Sequence, residues 1–145
     1  MQDPMAIASA YHSLSGFIWL DSAQKGSSGR YSFIMAEPFG SLVVKEDKVW
    51  LHGQPIDQCP WDCLDTVLRT FEWSAKEGPV PLMGGCVGFL GYELAHRLYP
   101  LPDPKPDIHQ LGDLRLGFYN VVIAVDHIAQ ALWIISSGQD ASGHA

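Results

Sequence analysis

Apolar and polar positions alternate with a short period along most of this chain, and one stretch keeps a helical spacing over several turns. After Pro60, the residues Leu64, Val67, Leu68, Phe71 and Ala75 recur at helical steps, with Asp62 and Asp65 in the first turn, where the helix dipole favours acids. A shorter helix is predicted at the start: Asp3 reads as its N-cap, Pro4 as its first residue, and Met5, Ala8 and Tyr11 or His12 carry the period up to the Ser-Leu-Ser-Gly break. Strands are predicted at 17–20, 31–36, 42–45 and 49–52, with a Gly/Ser/Lys loop at 24–29 and an acidic Glu46-Asp47-Lys48 hairpin turn. Gly78-Pro79-Val80-Pro81 ends the long helix. A strand at about 86–90 is then expected to enter the core, followed by a helical turn at 93–98. Pro100, Pro102, Pro104 and Pro106 give an extended, polyproline-like surface segment. The runs 117–125 and 131–136, either side of Asp126-His127-Ile128-Ala129-Gln130, predict a long buried hairpin. Val121 to Val125 lacks alternation, as in a strand covered on both faces. The fold class is therefore α+β, a mostly antiparallel sheet with a few short helices. Residues 1–137 form one domain, and 138–145 are a tail or truncated linker. Two short helices cannot cover six or seven strands, so part of the apolar surface is expected to lie against something this chain lacks.

Composition narrows the class of function. The 145 residues are 47% apolar, enough for one domain with a core, and the formal charge is −7. Nine Lys plus Arg spread singly exclude a nucleic-acid or anionic-membrane surface, which needs a clustered basic face. There is no run of 18 apolar residues and no basic residue ahead of the first apolar stretch, so the expectation is a cytoplasmic protein without membrane contact. Cys59, Cys63 and Cys86 are too few for a disulfide framework, and Cys59 and Cys63 fall on one helix face. The six histidines are scattered without metal-ligand spacing, so no metal site is assigned.

The run MGGCVGFLGYELAHRLYPLP at 83–102 concentrates Gly84, Gly85, Gly88 and Gly91. Its GGxxGxxG spacing is neither the dinucleotide fingerprint nor a phosphate loop, so these glycines read as structural, allowing positive φ or close backbone approach. Ser, His and Asp residues are plentiful, but no GxSxG elbow supports a nucleophile, and no catalytic residue is assigned.

Four segments in order carry a resemblance: WLDSA at 19–23, GRYSFIMAEPF at 29–39, GGCVGFLGYELAHRLYPLP at 84–102 and DLRLGFYNVVIAVDH at 113–127. Together they resemble the N-terminal region of the chorismate-utilising enzymes, component I of aminodeoxychorismate synthase and its sister, component I of anthranilate synthase. The aminodeoxychorismate wording is the closer, since anthranilate synthases tend to carry LLES where this chain has Trp19-Leu20-Asp21-Ser22. That resemblance implies amination of chorismate to 4-amino-4-deoxychorismate, on the way to 4-aminobenzoate and folate. It also implies ammonia from a glutamine amidotransferase component II, and Mg2+ at a C-terminal chorismate-binding domain absent from these 145 residues. The chain is expected to be inactive alone. The resemblance further implies half of a tryptophan pocket, with Ser22, Ser28, Gly29, Arg30 and Tyr31 at the matching positions. A serine hydroxyl and loop N–H groups would bond an amino acid's polar end and an aromatic wall would pack the indole. Against those roles, Ser22 also fits a strand-end cap, and Arg30 a surface-loop arginine or inter-element ion pair. The other readings are the anthranilate synthase counterpart with a tryptophan feedback site, and a free-standing binding module.

Overall fold

The Asp3 side chain accepts a hydrogen bond from Met5 N at 3.0 Å, and Pro4 follows as the first helical residue, so α1 (Pro4–Tyr11) starts where the sequence predicts in this computed structural model. The structure describes residues 3–24, 26–46, 48–70, 78–102 and 108–138. Among these the strands in chain order are β1 (Ile18–Leu20), β2 (Tyr31–Met35), β3 (Gly40–Lys45), β4 (Lys48–Leu51), β5 (Gln54–Ile56), β6 (Gly85–Leu90), β7 (Leu114–Tyr119), β8 (Val121–Asp126) and β9 (Ala131–Ser136). The second helix, α2, spans Pro60–Thr70. The chain divides into two units, the described parts of Met1–Phe39, Trp73–Gly85 and Phe118–Ala145, and those of Gly40–Glu72 and Cys86–Gly117.

The first unit holds a four-stranded sheet in the order β1-β2-β8-β9, antiparallel at each pairing. Register sets Trp19 opposite Ile34 and Ile34 opposite Ile123, so these side chains share a face. Ala8 of α1 joins Ile34 and Ile123 in a buried cluster, with Ile7, Phe17 and Trp19 packed against it. As a central strand, β8 is buried from Val122 to Asp126, the covering on both faces that its unalternating sequence predicts. The expected long buried hairpin is corrected in two respects. The run 117–125 breaks at the polar Asn120 into β7 and β8, which lie in different sheets, and β9 is an edge strand with Leu132, Trp133 and Ile134 exposed.

The second unit holds a five-stranded sheet in the order β5-β4-β3-β7-β6. Along β3 burial alternates, and Leu42 and Val44 stand opposite Leu51 and Val49 on the buried face. The sequence reading missed β5, because Pro55 argues against a strand. At a sheet edge proline is tolerated, and His52-Gly53, at φ 51° and 78°, makes the two-residue turn into it. In α2, Cys63 and Val67 are buried and Leu68 is exposed; Phe71 and Ala75, also assigned to the helical period, lie outside the described residues, as do Pro104 and Pro106. The strand expected to enter the core is instead the edge strand β6, exposed from Gly88 to Leu90. Its glycines act differently along its length. A Cβ at Gly88 would stand 2.0 Å from Arg115 O, so the neighbouring strand's backbone requires glycine there, whereas at Gly85 space is open and φ of 132° is the requirement. The helical turn expected at 93–98 is a 3-10 helix, Tyr92–Arg97.

Candidate ligand half-site at the end of the four-stranded sheet

Where β1 ends, Asp21 and Ser22 run on beside the start of β2, and β8 ends in Asp126, with His127 following it, on the other side of β2. The pleat divides the side chains between two faces. Tyr31 and Asp126 are register partners on one face, and Ser32 and Val125 are partners on the opposite one.

On the Tyr31 face, Arg30 Nε and Nη2 donate to Asp126 Oδ2 at 2.9 and 2.6 Å. Asp126 Oδ1 accepts the backbone N–H groups of Ile128 and Ala129 at 3.0 and 2.9 Å, so a carboxylate in the buried end of a strand has four donors. Arg30 foremost, then those N–H groups, hold the Asp126 carboxyl down at about 2, against a desolvation that acts the other way. The guanidinium also lies 4.8 Å from the centroid of the Tyr31 ring, and the Phe33 ring stacks beside that ring at 6.0 Å.

On the opposite face, Ser32 is wholly buried, with three polar neighbours for one hydroxyl. It donates to Asp21 Oδ1 at 2.9 Å, accepts from Ser22 N at 3.1 Å, and lies 2.8 Å from His127 Nε2. A hydroxyl has one proton and two lone pairs; with the proton on the Asp21 carboxylate, His127 Nε2 is assigned the hydrogen and Ser32 accepts it. A Ser-His-Asp set thus meets here with the roles inverted for nucleophilic catalysis: the histidine donates to the serine instead of taking its proton.

Ser22 links the two faces, its hydroxyl donating to Tyr31 O at 2.6 Å and its N–H to Ser32 Oγ. Gly29 is buried, its N–H donates to Gly26 O at 3.2 Å, and a Cβ there would strike Gln24 O. Ser28 is exposed on the loop. The structure therefore gathers Ser22, Arg30 and Tyr31 at one sheet end and leaves Ser28 outside the hydrogen-bonded group. The donors of Ser22 and the Gly29 N–H are spent internally, and the positive charge of Arg30 is matched by Asp126. What Ser22 and Asp21 can offer a ligand is lone pairs, which suit an ammonium group better than a carboxylate. The sequence reading missed Asp21, Ser32, Asp126 and His127 as members of the cluster. The available signal was a carboxylate closing the apolar run Val121–Val125, since a buried charge needs a partner.

No protein-family model matches the chain. It is 33% identical over 145 residues to anthranilate synthase component 1 of Mycolicibacterium smegmatis, across 93% of this chain and 28% of that protein. Aminodeoxychorismate synthase component 1 of Salmonella typhimurium is 33% identical over 113 residues, 74% of this chain and 25% of that protein. Its relatives are chorismate-utilising enzymes. They support the chorismate-utilising family as a whole and do not single out the aminodeoxychorismate branch that the sequence wording favours. The chain spans between a quarter and a third of their length. The fold is shared with the crystal structure of anthranilate synthase component I from Streptococcus pneumoniae, at TM-score 0.66 and 22% identity over 98% of this chain and 30% of that one.

Proposed function

We propose that the chain is the N-terminal scaffold and ligand-pocket half of a chorismate-aminating synthase. The observation that carries this reading is the commitment of the Asp21, Ser22, Ser32 and His127 polar groups to one another: they build a rim, and leave no activated nucleophile. Chemistry on chorismate then belongs to a chorismate-binding portion, with ammonia from a glutamine amidotransferase. The acids here do not suit the Mg2+ that the family implies. Asp126 is taken by Arg30, Asp113 by Arg97, Asp65 by Arg69 and Glu93 by His96, and no group of them converges among the described residues. The ligand proposed for the half-site is a free amino acid such as tryptophan, its ammonium on the Ser22 and Asp21 oxygens and its carboxylate met by the other half.

The product proposed is 4-amino-4-deoxychorismate, on the wording of AEP at 36–38, GYELAHRLYPLP at 91–102 and FYNVVIAVDH at 118–127. The anthranilate reading, with tryptophan as feedback inhibitor, draws support from the wider cover of the anthranilate synthase relatives. Supplying chorismate and ammonia to the protein joined to its chorismate-binding portion separates the two. Fluorescent anthranilate formed without an added lyase would support the second reading, a product that becomes 4-aminobenzoate only when a lyase is added supports the first, and turnover of neither kind would overturn both.

A further inference from the structure

The two sheets have four edges, and three carry a feature that discourages pairing. β1 has three residues, β5 has three including Pro55, and β6 contains Gly85 at φ 132° and Gly88. β9 has no such device. Its six residues, ALWIIS, hold no charge, proline or glycine, and pair with β8 at six consecutive positions without a bulge. Its side chains are open on both faces, with Leu132 39%, Trp133 41% and Ile134 72% exposed.

The main chain of β9 is open as well. Ser137 N donates to Asn120 O at 2.8 Å, which fixes the alternation of the ladder: Ala131, Trp133 and Ile135 turn their polar groups toward β8, while Leu132, Ile134 and Ser136 turn theirs outward. We infer that this edge takes β9 of a second copy of the chain, antiparallel about a twofold axis at Ile134, joining two four-stranded sheets into one of eight. In that register Leu132 faces the partner's Ser136 and Ile134 faces the partner's Ile134, so every outward N–H and C=O finds a mate. Trp133 lies beside the partner's Ile135 on one face. The strand suits its own copy for two reasons: it is apolar read in either direction, so a twofold is self-complementary, and it brings none of the −7 charge of each chain into the seam. A six-residue seam is well below the roughly 800 Å² per partner of a standard interface, so the association is concentration-dependent. This inference is independent of the chorismate reading.

Sedimentation of the 145-residue chain over roughly 1 µM to 1 mM tests it, with the mass expected to rise toward twice that of one chain. Ile134→Pro removes an outward N–H and none of the bonds to β8, and is expected to weaken association at least about tenfold. Tyr92→Lys, at the 88% exposed Tyr92 of the other unit, is expected to change nothing. In the unsubstituted chain, amide exchange at Leu132, Ile134 and Ser136 slows as concentration rises. A monomer at every concentration, or association lost in Tyr92→Lys and kept in Ile134→Pro, overturns the inference. If Ile134→Pro fails to fold, the exchange at those three amides decides, and rates that do not vary with concentration overturn it.

Discussion

At the residue scale the polar groups at the end of the four-stranded sheet answer to one another, and Asp126 bears most of that load. Its carboxyl titrates at about 2, below its ordinary 3.8, because Arg30 and two backbone N–H groups favour the ionised form. A lowered folded pKa places the stabilisation above the ordinary value and removes it as pH falls through the folded one. Denaturant midpoints are therefore expected to drop from about pH 4 to about pH 2, and Asp126→Asn to be weaker at neutral pH with a flatter acid limb. An acid limb unchanged in the variant would remove Asp126 from the explanation. The cysteines give a second check. Burial pushes the Cys63 thiol up and the Cys86 thiol to about 11, and Cys59 is exposed. A thiol reagent at pH 8 should label Cys59 quickly and the other two only as the chain opens; three equal rates would contradict the packing of the second unit, which holds all three.

At the element scale, α2 and β6 show how pattern and packing divide the outcome. Val67→Ala, on the buried side of α2, is expected to destabilise by about 2 kcal/mol, and Leu68→Ala, at a more exposed position, by under about 0.5 kcal/mol. Gly88→Ala should destabilise by about 1–3 kcal/mol, since its Cβ meets a backbone carbonyl that has little room to move. Thermal melts of the three variants check the ranking. Elements with a strong local signal were legible in the sequence: α1 from Asp3-Pro4, α2 from its period, β8 from its unalternating run. The rest depended on neighbours. Nothing local distinguishes β8, buried at the sheet's centre, from β9, exposed at its edge, because both are apolar and β-branched and only pairing order separates them. The candidate site was half legible for the same reason. Ser22, Arg30 and Tyr31 were marked by the resemblance, while Ser32 and His127 join them through a register 95 residues long in sequence.

At the scale of the whole molecule, the account holds that this chain supplies structure and an acceptor-rich rim to a site completed elsewhere. Tryptophan titrated into the 145-residue chain alone is expected to show no binding in the micromolar range, because no free donor is placed for a carboxylate at Ser22 or Gly29. The exposed β9 is an apolar edge that, by the inference above, a second copy of the chain covers. Grafting tests the central claim most directly. This chain replaces the matched portion of the Mycolicibacterium anthranilate synthase component 1, and anthranilate formation from chorismate and ammonia is measured by fluorescence. The account predicts turnover by the graft, and a weakened response to tryptophan when Ser22→Ala is added. A folded, monodisperse graft with no turnover, or one whose tryptophan response ignores Ser22, would contradict it.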